Sequence, residues 1–159
     1  MRRIIGNWQG SAIFTASAGA WLTVVDGTDV SLTGVGSDRP NVVGNPAVPN
    51  PSVSQWFNTK AFVPQPTGTY GDVGRNTILG PGNWDLDAAL WRQFSITERF
   101  KLDLRGEAFN VLNHTRFGTI GAAAATNNPG TSIGSPTTFG KITSALDPRI
   151  MQVALKLTF

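Results

Sequence analysis

The chain contains no cysteine among its 159 residues, and it has only one histidine. The absence of cysteine excludes a disulfide scaffold, a cysteine zinc site, an iron–sulfur site and a thiol nucleophile. Charged residues make up 14% of the sequence, whereas a soluble domain usually has about a quarter. The sequence also lacks an uninterrupted apolar run of about 18 residues, so it indicates no transmembrane helix.

Glycine and proline are abundant, with 18 and 10 residues. Both residues break helices, so this composition favours strands joined by turns and loops. The net charge is only +3, and basic residues do not cluster beyond Arg2 and Arg3. We therefore predict no nucleic-acid partner.

The candidate chemical groups do not form a recognisable active site. His114 has no second histidine and no cysteine to act with it as a metal ligand or catalytic pair. The loop residues Asp26, Asp29, Asp38 and Asp72 lack the order of ligands in an EF-hand. We predict that the chain is not an enzyme and that it has no catalytic residues, no metal site and no cofactor.

Four segments alternate apolar and polar residues with a period of two, which is the pattern of β-strands. Their lengths, about 11–14 residues, exceed the mode of about five or six in soluble sheets. The alternation is clearest from Phe100 to Ala108, where a strand would place all the charged side chains on one side. The predicted strands cover approximately residues 4–18, 83–96, 100–112 and 149–159.

Two long connections, 19–82 and 113–148, separate these strands, while Thr97–Arg99 forms a short polar turn. Compact soluble domains seldom carry connections of this length, whereas outer-membrane barrels pair short periplasmic turns with long extracellular loops. The predicted fold is therefore all-β. It consists of the last four antiparallel strands of a transmembrane β-barrel, incomplete by itself, with two long extracellular loops. The loop aromatics are predicted either to contact a ligand or to pack the loops, and they are Trp56, Phe57, Phe62 and Tyr70.

One face of each predicted strand is apolar and is expected to contact lipid. Arg92 falls on this face near a strand end, where its side chain is expected to extend to the head groups. Aromatic residues also lie near strand ends, as in the girdles of barrels. The opposite face is expected to line the lumen, with charges that pair across strands rather than form an acid–base or cation site. These lumen charges are Asp85, Asp87, Lys101, Asp103, Arg105 and Glu107.

Alternation is also compatible with a soluble β-sandwich that acts as an adhesion or carbohydrate-binding module. In that alternative the apolar faces form a dry core and the loop aromatics form a binding surface. Conversely, four strands cannot close a barrel, because the smallest single-chain bacterial barrels have about eight. A membrane barrel therefore requires further strands upstream or from other chains.

The segment Asp147–Phe159, which includes the last predicted strand, resembles the C-terminal end of TonB-dependent outer-membrane receptors. The similarity is greatest to the Oar-like group, which carries a carboxypeptidase-regulatory-like domain near its N-terminus. The order and spacing of the similar segments extend the resemblance over nearly the whole chain. These further segments are Gly6–Ala16, Asp38–Asn41, Gln55–Asn58, Gly80–Asp87, Phe94–Arg99 and Arg105–His114.

The resemblance implies a barrel of about 22 strands, closed inside by an N-terminal plug domain, that takes up a substrate with energy supplied through TonB. It implies location in the outer membrane as part of a full-length parent, with no activity of this chain alone. The implied partners are outer-membrane lipid, upstream strands and plug, the barrel-assembly machinery, and TonB only through the plug. The resemblance identifies the residues of the barrel-assembly signal as Met151, Val153, Leu155, Leu157 and Phe159.

Overall fold

A computed structural model describes residues 6–117 and 129–159. The start of the first predicted strand, residues 4–5, and the part of the second predicted loop at 118–128 lie outside the described residues. None of the helices found in the described ranges is long and apolar enough to cross a membrane. The elements are β1 Gln9–Ser17, β2 Trp21–Leu22, β3 Asn41–Val42, a 3₁₀-helix Thr59–Ala61, β4 Phe62–Val63, β5 Ile78–Leu79, β6 Asn83–Ser95, β7 Lys101–Phe109 and β8 Ile150–Thr158.

The chain forms two compact units. The sheet unit comprises Met1–Ser17, Trp84–Arg116 and Asp147–Phe159. The loop unit comprises Ala18–Asn83 and Phe117–Leu146. All long strands belong to the sheet, so the prediction of an all-β fold with antiparallel pairing is confirmed for the described residues.

The sheet unit contains one four-stranded sheet in the order β1–β6–β7–β8. Each of these strands lies within one of the four predicted segments. Strand β7 pairs antiparallel with both β6 and β8. Trp8 contacts Phe94 while Phe14 contacts Trp84, with ring centroids 6.4 and 6.3 Å apart, which shows that the first strand also runs antiparallel to β6.

A tight turn at residues 96–100 sets the register of β6 against β7. The Ile96 amide donates to the Phe100 carbonyl at 2.9 Å, and the Phe100 amide donates to the Thr97 hydroxyl oxygen at 3.0 Å. Ser95 consequently lies opposite Lys101, and the pairing continues without interruption to Ala88 opposite Ala108.

Three of the four sheet strands have nine residues and β6 has 13, so the predicted range of about 11–14 is too long for three of them. Asparagines in the left-handed backbone region account for two of the shortened ends. Asn7 precedes β1 with a φ of 66°, and Asn110 follows β7 with a φ of 50°. Asparagine tolerates this conformation better than most residues, and it ends the extended backbone there.

The loop unit has an apolar core of its own. Phe57, Phe62 and Phe139 meet edge to face with ring centroids 5.2–6.2 Å apart, a favoured aromatic geometry. Two short antiparallel pairs, β2 with β5 and β3 with β4, hold the surrounding chain. The core is completed by Val24, Ala61, Val73 and Ile78.

The predicted loops 19–82 and 113–148 are therefore not irregular throughout, because most of their described residues form this packed unit. A close backbone approach at Gly71 is one reason why it can form. A Cβ atom at Gly71 would lie 2.0 Å from the carbonyl oxygen of Arg39, so only glycine fits at this position without displacement of the backbone.

Candidate functional site

The cross-strand register places the apolar residues of β6, β7 and β8 in continuous rows on one face of the sheet. These rows, in which Arg92 is the one charged residue, are Phe94–Leu102–Leu157, Arg92–Leu104–Leu155, Leu90–Gly106–Val153 and Ala88–Ala108–Met151. Successive side chains of a strand point to opposite faces, so the alternation in the sequence becomes one apolar surface.

This apolar surface is not covered within the described part of the sheet unit. The side chains of Val153, Leu155 and Met151 are 74%, 66% and 67% exposed. A soluble sandwich would bury such a face under a second sheet, whereas a barrel wall turns it towards lipid. The soluble alternative is therefore not favoured.

The opposite face of the sheet is polar. Its rows are Ser95–Lys101–Thr158, Gln93–Asp103–Lys156, Trp91–Arg105–Ala154 and Ala89–Glu107–Gln152. Arg105 forms an ion pair with Glu107, and Glu107 also accepts a hydrogen bond from Gln152. Asp103 lies opposite Lys156, so two oppositely charged residues face each other across β7 and β8.

A groove with a volume of about 600 Å³ runs along this polar face. It contains charges of both signs together with one aromatic ring, and it is lined mainly by Gln9, Trp91, Gln93, Asp103, Arg105 and Lys156. Paired charges and amides beside such a groove are suited to a hydrated surface, since water can solvate the exposed side of each group.

Asp85 and Asp87 differ from the expected pairing across the β6–β7 hairpin. Asp85 forms its ion pair with Arg116, which lies beyond β7. Asp87 accepts a hydrogen bond from the backbone amide of Asn110 at 2.9 Å. The reason is the register, because pairing from Ser95 opposite Lys101 places both aspartates past the charged part of β7.

Asn110 and Asn113 organise the end of the sheet where these aspartates lie. The Asn110 side chain accepts from the His114 amide and donates to the His114 carbonyl, both at 2.9 Å. The Asn113 side chain accepts from the Arg149 amide at 3.0 Å, next to the start of β8. Sequence reasoning missed these roles, although two asparagines three residues apart after a strand are a turn signal.

Arg92 also differs from its prediction. Its side chain is 5% exposed rather than extended away from the sheet. The guanidinium carbon lies 4.4 Å from the ring centroid of Phe94 and 5.6 Å from that of Trp8. Cation–π contacts of this kind stabilise a charge on an otherwise apolar surface.

The residues of the expected barrel-assembly signal lie on β8, except Phe159, which follows it. All five side chains are more than half exposed, and Phe159 is 89% exposed. Met151, Val153, Leu155 and Leu157 each lie opposite a residue of the apolar face of β7. The first four residues of the signal are thus part of the same apolar surface.

The loop aromatics separate into packed and exposed residues. Phe57 and Phe62 are buried in the loop-unit core. The Trp56 indole donates to the Leu79 carbonyl at 2.8 Å, so it is fixed by the loop unit itself. Tyr70 is 75% exposed, and packing therefore accounts for three of the four rings.

His114 stacks on Trp84, with the ring centroids 3.9 Å apart. This contact uses the flat face of the imidazole for packing. Among residues 6–117 and 129–159, no three histidine, cysteine, aspartate or glutamate side chains converge in a way that could hold a metal ion.

Comparison with known proteins agrees with a sheet that has one apolar and one polar face. The model of a family described as an outer membrane beta barrel domain matches residues 1–152. No curated protein and no solved structure matches the chain. Because the family match covers nearly the whole chain, this protein belongs to the outer membrane beta barrel domain family and is located in the outer membrane.

Proposed function

We propose that this chain forms the C-terminal barrel segment of a TonB-dependent transporter and acts in substrate uptake only together with the rest of the parent protein. Its part is to supply barrel wall, lumen surface and loops. The parent contributes the upstream strands and the plug through which TonB acts, and the barrel-assembly machinery inserts the protein.

The observation that carries this proposal is the sheet with an uncovered apolar face and a charged, grooved opposite face. Strands β1 and β8 are its two edges. In lipid, each unsatisfied backbone group costs several kcal/mol. Both edges are therefore best explained as pairing surfaces for further barrel strands.

The first test compares the two faces of β8 in the full-length parent. Leu155→Arg places a charge on the apolar face, where it costs about 2–4 kcal/mol at the bilayer midplane. Lys156→Leu is the matched variant on the polar face and should cost less. Heat-modifiable electrophoretic mobility measures the folded fraction of each variant, and equal losses would overturn the assignment of the faces.

The second test addresses the transport class. We expect the DNA upstream of Met1 to continue in frame through a plug and about 18 further strands. TonB should then crosslink to the plug of the parent, and uptake should cease in cells without TonB. A parent that lacks a plug, or uptake that persists without TonB, would retain the barrel but contradict TonB-dependent transport.

A further inference from the structure

Asp26 is a buried carboxyl group inside the loop unit. Its side chain is 4% exposed, and neither carboxyl oxygen accepts a hydrogen bond of good geometry from the described residues. The adjacent Gln65 side chain is also 4% exposed and lacks such a bond at both amide atoms. Asp26 and Gln65 thus place four buried polar atoms without well-formed partners in the same part of the loop unit, an arrangement that is uncommon and costly in proteins.

The backbone around Asp26 joins separate segments of the loop unit. The Asp26 amide donates to the Asp38 carbonyl at 2.7 Å, and the Asp26 carbonyl accepts from the Gly134 amide at 2.9 Å. Val25 is bonded to Thr131 by a further backbone bond of 3.0 Å. The protonation state of Asp26 can therefore affect a joint, the backbone hydrogen bonds that connect residues 25 and 26 with Asp38, Thr131 and Gly134.

The charged groups around Asp26 do not neutralise it. Asp38 accepts two hydrogen bonds from Ser31, at 2.6 Å from its amide and 3.0 Å from its hydroxyl. The Asp29 carboxylate accepts backbone amides of its own turn, and the Arg39 guanidinium donates to a backbone carbonyl. Within the described residues, no basic side chain forms an ion pair with Asp26.

We propose that Asp26 and Gln65 form a proton-dependent lock in the loop unit. A carboxylic acid offers one O–H donor and one carbonyl acceptor, and a primary amide offers N–H donors and one carbonyl acceptor. A single proton on Asp26 therefore lets the two groups donate one hydrogen bond to each other, which provides a partner for all four atoms. Release of this proton to solvent leaves a buried anion at the joint.

The direction of the titration agrees with this geometry. Burial raises the pKa of the Asp26 carboxyl above its ordinary value of 3.8. The negative charge of Asp38 adds to this rise, whereas hydrogen bonding by the nearby Gln65 side chain favours the carboxylate and lowers the pKa. A pKa that is higher in the folded than in the unfolded state stabilises the fold fully below the unfolded value. This stabilisation is lost as the pH rises through the folded pKa, so the joint loosens towards higher pH.

A bound cation is the competing occupant of this position. Calcium takes about six to eight oxygen ligands, whereas no cluster of three metal-ligating side chains exists in the described residues. A cation would also leave the Gln65 N–H groups without an acceptor. The proton accounts for all four atoms and is the occupant that the structure favours.

Hydrogen exchange of the full-length protein in lipid vesicles tests the lock. Protection of the Val25, Asp26 and Ile133 amides, corrected for the intrinsic exchange rate at each pH, should fall as the pH rises. Asp26→Asn retains a neutral side chain, so its protection should stay near the acidic wild-type level at every pH. Asp72→Asn removes an exposed charge elsewhere in the loop unit and should retain the wild-type pH dependence.

A flat wild-type profile, or a wild-type slope in Asp26→Asn, would overturn the proposal. If calcium restores protection at high pH in the wild type but not in Asp26→Asn, the proposal is overturned and the occupant of this position is a cation. Should Asp26→Asn not fold, infrared spectroscopy of the wild type with labelled aspartate provides the same decision. One protonated aspartate band must persist to higher pH than the others, and its absence would equally refute the lock.

Discussion

At the scale of single residues, Asn110 ends strand β7 through two properties. Its backbone adopts the left-handed region with a φ of 50°, which few residues other than glycine tolerate. Its side chain bonds both the amide and the carbonyl of His114. Because Asn110 is only 2% exposed, water cannot readily replace these two hydrogen bonds after a substitution.

These two properties can be separated by substitution. Asn110→Gly removes the side-chain hydrogen bonds but retains the backbone conformation, and we expect it to lower the free energy of unfolding by about 1–3 kcal/mol. Asn110→Ala also introduces backbone strain, which should lower the free energy of unfolding by about 1 kcal/mol more. Urea unfolding of the protein refolded in vesicles measures both losses.

Asn45→Ala provides the control for Asn110, because Asn45 is exposed and its side chain accepts one local hydrogen bond from Ala47. We expect this control to change the unfolding free energy by less than about 0.5 kcal/mol. Equal losses for the glycine and alanine variants of Asn110 would argue against backbone strain. Losses no larger than that of the control would argue against a stabilising role of the turn.

Arg92 shows what the sequence can and cannot predict about a residue. Alternation placed it on the apolar face, and the register with Leu104 agrees. Its guanidinium lies closest to Phe94 on the same strand, but its second ring contact is with Trp8, which is far away in the sequence and immediately precedes β1. Contacts of this kind leave no periodic signal, so the expected extension to the head groups was wrong.

At the scale of elements, the four long strands were predictable because each segment largely alternates apolar and polar residues, most clearly from Phe100 to Ala108. The turn at residues 96–100 fixes the register of β6 against β7. The ends of the strands were less predictable. The third predicted strand extends to residue 112, but Asn110 ends β7 at Phe109. The expected pairing of Asp85 and Asp87 across the β6–β7 hairpin was also wrong, because the register places both residues past the charged part of β7.

The end of β8 provides a prediction about assembly rather than stability. Phe159 is 89% exposed, so Phe159→Ala removes little packing from the sheet. We expect it to leave the unfolding free energy of the refolded protein within about 0.5 kcal/mol of the wild type. In cells, we expect a clear loss of folded protein in the outer membrane, because the proposed barrel-assembly signal would lose its aromatic ring.

Thr158→Ala is the matched control, since it changes the neighbouring residue, which lies on the polar face at the end of β8. It should leave both the refolded stability and the amount in the outer membrane near wild type. A Phe159→Ala protein that assembles normally in cells would contradict the assembly role. A refolded Phe159→Ala protein with a clearly lower free energy of unfolding than the wild type would assign the defect in cells to folding instead.

At the scale of the whole molecule, the division into a sheet unit and a loop unit was not predictable from periodicity. The paired strands of the loop unit have only two residues each, which is too short for alternation to be recognised. Its core joins Val24, Phe57 and Phe139, which are distant in sequence. Proline- and glycine-rich segments therefore looked irregular, although long-range packing orders them.

The last prediction follows from this separate core. Phe57 is 2% exposed and contacts both Phe62 and Phe139, so Phe57→Ala should destabilise the loop unit by about 3–5 kcal/mol. Hydrogen exchange should increase at the amides of β2 to β5 and remain unchanged in the β6–β7–β8 ladder. The exposed Tyr70 provides the control, and Tyr70→Ala should alter neither region. Equal loss of protection in the ladder would mean that the loop core stabilises the sheet as well, and the two units would then unfold as one.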